Sequence, residues 1–372
     1  MRLSIEPELR ELQEGAARFS DQVLVPAAGG FEQNEEVPSG IYEQLGERGL
    51  MAVNVDAAFG GSSAGVLAYS LAMTEIARGC ASTAVTMAVT NMVGEVVAHF
   101  GSDVQRRLVN PALAGGGLGA FALSEVGAGS DPGGMRTTAV RDGDEWVING
   151  TKQWISHGDT ARFIVLWART GGNGPRGLSC FLLDGETPGL SVSGHEDKMG
   201  LRASHTVGLV LEGVRVADDR LLGGEGGGFP IAMMALDGGR IGIASQALGI
   251  GLRATSCARD YMRGRQDVRE QQGMLWDLAD SVTQLEAARL LTLRAASLKQ
   301  EGRPHSQEAS MAKVYATEAA WKAAVRAVDL TADAPNAVRA VAERCLRDAR
   351  VTRIYEGTSE VQRIVISRSV LR

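Results

Sequence analysis

The chain has 372 residues, 44% of them hydrophobic and 22% charged, the proportions of a folded protein with more than one packed unit and not of a disordered one. A formal net charge of −6 argues against a nucleic-acid binder, which needs a basic face for phosphates. The four cysteines, Cys80, Cys180, Cys257 and Cys345, are scattered without a Cys-x-x-Cys pair, so buried thiols in a reducing, cytoplasmic setting are expected.

Taken from the N-terminus, "MRLSIEPELRELQEGAARF" is charged and amphipathic and lacks the apolar core of a signal peptide. No later run is expected to reach the apolar length of a membrane span. Apolar residues then recur at helical spacing, as in Leu9, Leu12, Ala16 and Phe19, which predicts an all-helical unit over residues 1–117. Over 118–229 the texture changes to short β-branched and aromatic runs, among them "EWVI", "KQWIS", "RFIVLWA" and "TVGLVLEGVRV". Asp142-Gly143 and Asn149-Gly150 both read as hairpin turns, because type I′ turns need positive φ at their central residues. This predicts a β-barrel. From 230 to 372 helical periodicity returns in "LADSVTQLEAARLLTLRAASL" and "SMAKVYATEAAWKAAVRAV", and long helices are expected to the end.

Four segments, "LSEVGAGSD" at 123–131, "NGTKQWIS" at 149–156, "EDKMGLRAS" at 196–204 and "RIYEGTSEVQR" at 353–363, resemble signature segments of the acyl-CoA dehydrogenase family, in the family's order. The resemblance implies an α+β fold with an N-terminal helical domain, a middle β-barrel and a C-terminal four-helix bundle through which members form tetramers. It implies dehydrogenation of an acyl-CoA across Cα and Cβ, with FAD as cofactor and an electron-transfer flavoprotein as acceptor.

By the same resemblance Glu356 takes the place of the base that removes the α-proton. Burial is expected to raise its pKa towards neutrality, and its backbone N–H would help to hold the thioester carbonyl. A second branch of the family carries its base on a long helix, at the position filled here by Gly239, so only one of the two bases is present. Asp237 and Arg240 match positions near CoA, and Ser130, Tyr355 and Gly357 match positions near the substrate; read without the family, Asp237 and Arg240 would be a surface ion pair on a helix. For the flavin the resemblance implies Phe121, Leu123, Ser124, Gly129, Ser130, Trp154, Ile155, Ser156, Thr358 and Glu360. Without the family, Trp154 would be a core aromatic on a strand.

Two departures bear on the cofactor. In the family a neighbouring subunit holds the ADP half of FAD through an Arg-x-x-Phe-Gly segment and a Gln-x-x-Gly-Gly segment. Here the first is replaced by "YMRGRQDVREQQGMLWD", and the second by "DLTADAPNAV", with Asp329 for glutamine and Ala332-Asp333 for the glycine pair. Carboxylates in place of glycine backbone donors make a poor phosphate cradle. Three readings stay open: a heteromer whose partner lends intact ADP-binding segments, a homotetramer with altered contacts, and a descendant without FAD that uses Glu356 for non-redox proton chemistry or serves as a binding or scaffolding subunit.

The five histidines, His99, His157, His195, His205 and His305, show no metal-ligand spacing, and no metal site is expected. No G-x-S-x-G elbow suggests thioester hydrolysis. "VDAAFGGS" at 55–62 resembles a family turn and is expected near the acyl pocket.

Overall fold

A computed structural model describes residues 6–263, 265 and 267–371. Six α-helices come first: α1 (Pro7–Phe19), α2 (Val25–Asn34), α3 (Ser39–Glu47), α4 (Gly65–Gly79), α5 (Ala81–Phe100) and α6 (Asp103–Ala114). Their ends follow from the sequence. Pro7 opens α1 at a position where its missing N–H costs nothing, and Ser102 and Gln105 close a capping box on α6. Phe19, Leu24, Leu45, Met73 and Ile76 meet in one buried cluster between these helices.

The strands are β1 (Gly119–Ala122), β2 (Thr138–Asp142), β3 (Glu145–Ser156), β4 (Phe163–Arg169), β5 (Leu178–Asp184), β6 (Leu190–His195), β7 (Thr206–Ala217) and β8 (Leu221–Leu222). They pair in the order β6-β7-β3-β2-β4-β5-β8, with β1 parallel to β4 beside that path. Inward residues of β1 to β5 and β7, including Trp146, Ile148, Leu166, Phe181 and Leu209, share one cluster, so the sheet curls around its own core. Outward residues of β4 and β5, such as Trp167 and Cys180, pack instead on α5 and on the start of the next helix. Both faces of these strands are therefore buried, which accounts for their unbroken apolar runs.

One turn expected from the sequence is not a turn. Asp142-Gly143 lies at the β2–β3 hairpin, with Asp142 opposite Glu145, but Asn149-Gly150 sits inside β3 at a register shift against β7. Gly150 has φ 149°, and a Cβ there would lie 2.6 Å from Thr137 Oγ1, while Asn149 Oδ1 accepts a bond from the Gly213 N–H. The pair makes a β-bulge that bends the strand without ending it.

The C-terminal region comprises α7 (Gly228–Arg263), α8 (Gln272–Gln300), α9 (Ser306–Leu330), α10 (Asn336–Thr352) and α11 (Ser359–Val370). The first four pack as a bundle, and α11 lies against α9. Helix α7 begins two residues before Pro230, which its first turn tolerates. The Trp167 indole N–H donates to the Gly228 carbonyl at 2.7 Å and fastens this helix to the barrel.

Helix α5 corrects the expectation about apolar length. Its 20 residues are long and apolar enough to cross a membrane, but 89% of that window is buried inside the protein. It packs on α4, α6, α7 and β1, while α4 also meets α7 directly.

Candidate active site

Between α10 and α11 the chain makes a short turn that carries Glu356. The residue has φ 53° and Gly357 φ 87°, both in the left-handed region. A non-glycine side chain pays about 1 kcal/mol or more for that conformation, and surrounding bonds hold it there. Lys313 Nζ donates to the Gly357 carbonyl at 2.7 Å. Gln362 Nε2 donates to the carbonyls of Glu356 and Gly357 at 3.1 and 2.8 Å. The Ser359 hydroxyl and Arg353 Nε both donate to Glu318 Oε1 at 3.0 Å, and the Tyr355 hydroxyl donates to Gln246 Oε1.

The carboxylate itself is left free. Glu356 Oε2 is sealed from water and has no hydrogen-bond partner among the described residues. Burial pushes the carboxyl up to about 7, against the opposing pull of the Arg240 and Lys313 cations. The space it occupies exists because the facing helix has a glycine: a Cβ at Gly239 would lie 2.5 Å from Glu356 Oε2. One turn on, a Cβ at Gly242 would meet the Tyr69 hydroxyl at 2.6 Å.

Arg240 is 6% exposed and its Nη1 donates to Asp237 Oδ1 and to the Ser310 hydroxyl. Ser306 donates to the same Asp237 oxygen at 3.0 Å. Arg240 is buried and Asp237 half-buried at the junction of α7 and α9, which corrects the surface ion pair that reading without the family suggested. Arg240 Nε also lacks a partner among the described residues.

On the barrel side Trp154 is 50% exposed with φ 61°. The β3–β7 register breaks between Lys152 and Ile155, and the Gln153 N–H turns to the Ser124 carbonyl instead. This bulge lifts the indole out of the sheet, so Trp154 is not the core aromatic that an isolated reading of the strand suggests. A Cβ at Gly129 would lie 3.6 Å from Trp154 Cζ3, so the "LSEVGAGSD" loop meets the "KQWIS" strand at this ring. Gly129 and Ser130 are exposed, and Ser124 and Ser156 are partly so.

The three-domain order of the fold is matched along the whole chain. Family models for the N-terminal, middle and C-terminal domains of acyl-CoA dehydrogenases match residues 6–117, 120–214 and 226–371. The chain belongs to the acyl-CoA dehydrogenase family. Among curated relatives of this acyl-CoA dehydrogenase homologue, the mitochondrial short-chain specific acyl-CoA dehydrogenase of Bos taurus is 43% identical, over 98% of this chain and 91% of the relative. An acyl-CoA dehydrogenase of Bacillus subtilis is 41% identical over 95% of each chain. The structure of butyryl-CoA dehydrogenase from Megasphaera elsdenii superposes with a TM-score of 0.95, at 34% identity and 100% coverage of both chains. A chain from a structural study of the electron transferring flavoprotein of Acidaminococcus fermentans gives 0.96, at 36% identity, again covering 100% of both.

Within this acyl-CoA dehydrogenase fold the other expected residues divide. Tyr355, Glu356, Gly357 and Thr358 form one turn, and Thr358 Oγ1 accepts from the Val361 N–H as the cap of α11, with Glu360 exposed in its first turn. Ile155 does not present its side chain to a ligand, because it is 1% exposed in the barrel core. Leu123 is 5% exposed and packs in the cluster between α5 and the barrel, and the Phe121 ring lies 4.4 Å from that of Trp167. For Ile155 and Leu123 only the backbone is available to a cofactor, whereas Phe121 stays partly exposed. The aromatic turn at Phe59 is a short 3-10 helix over Ala57–Phe59, packed on α6 and near the Arg106 and Arg107 guanidinium groups. The altered segment after Tyr261 includes positions 264 and 266, which lie outside the described residues.

Several residues that shape the site escaped the sequence reading. Lys152 is fully buried and its Nζ binds Glu125 Oε1 at 2.9 Å and the Leu123 carbonyl at 3.2 Å. Glu125 also accepts from the N–H groups of Arg136 and Thr137 at 2.6 and 3.0 Å, so this ion pair fixes the loop under Trp154. Lys313 stands beside Ala309, Ala312 and Ala316, each 0% exposed. A lone cation within an alanine stripe is the signal that marked it. Strand pairing also gathers His157, Asp159 and His205, whose donor atoms lie within 4.8 Å of one another, with His195 Nε2 3.5 Å from Asp159. Spacing along the chain gave no sign of this cluster. His205 Nδ1 already bonds Asp159 Oδ2 at 2.7 Å, and burial drives His157 down to about 4.

Proposed function

We propose that this chain dehydrogenates a short acyl-CoA across Cα and Cβ, with Glu356 as the base that takes the α-proton. The observation that carries this reading is the half-buried Glu356 carboxylate: its Oε2 is sealed from water and has no hydrogen-bond partner among the described residues, and its pKa is raised to about 7. A base near neutrality combines an ionised fraction with useful proton affinity. Arg240 and Asp237 would hold the CoA portion. The backbone N–H of Glu356, turned by its left-handed φ, is the donor suited to the thioester carbonyl as enolate charge develops.

The residues on the barrel side fit a flavin ring. Trp154 is held out of its sheet and half exposed, beside Gly129. Ser124, Ser130 and Ser156 supply hydroxyls, and Thr358 and Glu360 stand at the opposite turn. FAD bound there supplies the acceptor for the β-hydride. An electron-transfer flavoprotein is the proposed external acceptor, in keeping with the likeness to the chain from the Acidaminococcus fermentans study.

The segments expected to serve a neighbour's ADP fit that group poorly. Arg265 bonds Asp267 and Asp333 at 2.6 and 3.0 Å, so its guanidinium is engaged within the chain. Asp329 and Glu343 line the adjoining depression, where Arg339 lies 3.7 Å from Glu343. A tetramer that includes a second kind of subunit, which lends an intact ADP site, is the assembly this favours. Cytoplasmic location belongs to the same proposal, in keeping with four free cysteines.

The visible spectrum of the chain purified alone, and with co-expressed candidate subunits, tests this. Flavin bands bleached by butyryl-CoA are expected in at least one preparation. Absence of flavin from both, with acyl-CoA still bound, would turn the reading to non-redox chemistry.

A further inference from the structure

The turn that carries Glu356 rests on a buried cation from α9 for which the proposed reaction gives no role. Lys313 is 0% exposed, and its Nζ donates to the Gly357 carbonyl at 2.7 Å. That carbonyl already receives the Gln362 amide at 2.8 Å, so a neutral donor satisfies it without help. A lysine excluded from water is costly unless its charge has a partner. Burial lowers the Lys313 ammonium to about 7 and Arg240 pushes it the same way, while the Glu356 carboxylate across the turn pulls it back up and so helps to keep the lysine charged; the cation in turn favours the ionised carboxylate.

We propose that Lys313 is the positioning residue of the proton-abstracting turn: it pins the Gly357 carbonyl and sets beside Glu356 the positive charge that keeps its carboxylate ionised. This rests on the reading of Glu356 as the base. The hydrogen bond fixes where the carboxylate stands, and the charge fixes how often it is ready. The other groups that act on the pair come from every neighbouring helix. Arg240 of α7 favours the ionised carboxylate, and Tyr69 of α4 lies close enough to feel it. Glu318 of α9 and Glu360 of α11 act on Lys313, and Tyr355 adjoins the carboxylate in the chain. Among these, Lys313 alone joins a positive charge to a direct bond on the Gly357 carbonyl.

The two roles separate by substitution. Lys313→Met removes charge and bond, Lys313→Gln keeps a donor without charge, and Gln362→Met removes a neutral donor to the same carbonyl. Titration of the Glu356 carboxyl by 13C NMR, assigned by its loss in Glu356→Gln, reads the charge without turnover. Its midpoint is expected to rise by roughly half a unit or more in both Lys313 variants and to stay in place in Gln362→Met. In the flavin-loaded enzyme the acid limb of kcat should move with it, and kcat should fall about tenfold or more in Lys313→Met with KM little changed.

An unmoved midpoint in Lys313→Gln, in a preparation with the parent's circular dichroism, overturns the proposal. So does a Lys313→Met enzyme with an unshifted acid limb, whatever its rate, because a purely structural lysine would give that result. If Glu356→Gln retains full activity, the reading of Glu356 as base fails first, and the NMR midpoints still report whether the charge acts on the carboxyl.

Discussion

Gly239 and Glu356 face each other so closely that a methyl group on the first would lie 2.5 Å from Oε2 of the second. The contact is below any distance that a Cβ and an oxygen adopt, so the carboxylate, whose Oε2 is sealed from water where it stands, would have to swing away from α7. Gly239→Ala is therefore expected to push the carboxylate off its position and lower kcat about 100-fold. Alanine is also the better helix former by about 1 kcal/mol, so the melting temperature should hold or rise. Steady-state kinetics beside a thermal melt reads both. A fall in stability equal to the fall in activity would show that the glycine serves packing alone.

The pH dependence of turnover follows from the same carboxyl. Its pKa is raised to about 7, and the base acts only when ionised. The rate should thus fall as pH drops below about 7, by close to tenfold per unit, and this group should impose no loss on the alkaline side. Glu356→Gln should abolish α-proton removal, measured as loss of solvent deuterium exchange, while flavin content stays near that of the parent.

Trp154 is expected to trade stability for cofactor contact. Its left-handed φ of 61° suits glycine better than tryptophan. Trp154→Gly should leave the flavin-free protein as stable or more so, by up to about 1 kcal/mol, and weaken FAD binding at least tenfold by fluorescence titration. Unchanged FAD affinity would remove the indole from the cofactor site.

The Glu125–Lys152 pair supports the loop beneath that indole from inside the barrel. Removing one partner of a buried pair leaves the other charge without compensation, so Glu125→Gln should cost about 3 kcal/mol. The Glu125 carboxyl is held below its ordinary value of 4.5; burial opposes this, and Lys152 with the Arg136 and Thr137 amides outweighs it. A depressed carboxylate stabilises the fold above the unfolded pKa and loses that effect as pH falls through the folded one. The gap in melting temperature between parent and variant should accordingly be full above about pH 5 and close on further acidification.

How much of this was legible in the sequence depended on the kind of signal. The helix–strand–helix order was plain because periods of 3.6 and 2 are written locally, and Glu356 was singled out because "RIYEGTSEVQR", a contiguous segment, resembles a family signature. Asn149-Gly150 misled because a bulge and a hairpin both need a glycine with positive φ, and only pairing with β7 distinguishes them. The Ile155 side chain is turned inward because a contiguous motif alternates faces on a strand, so every second residue points into the barrel. Lys313 and Gln246 reach the site from distant helices. The alanine stripe around Lys313 marks it as buried, but the bonds that these two side chains make record a packing that no short window contains.

Helix α7 carries Gly238, Gly239, Gly242, Gly249 and Gly251 along its length. Gly249 and Gly251 let the backbones of α4 and α9 approach, much as Gly239 admits the carboxylate. Each glycine costs roughly 1 kcal/mol of intrinsic helicity, so this 36-residue helix is imposed on the chain by its neighbours. While the protein is being made, α7 should stay loose until α8, α9 and α10 have left the ribosome and closed over it. The slot for the base is then among the last features to take shape, and a truncated or stalled chain carries no half-built active site able to handle acyl-CoA.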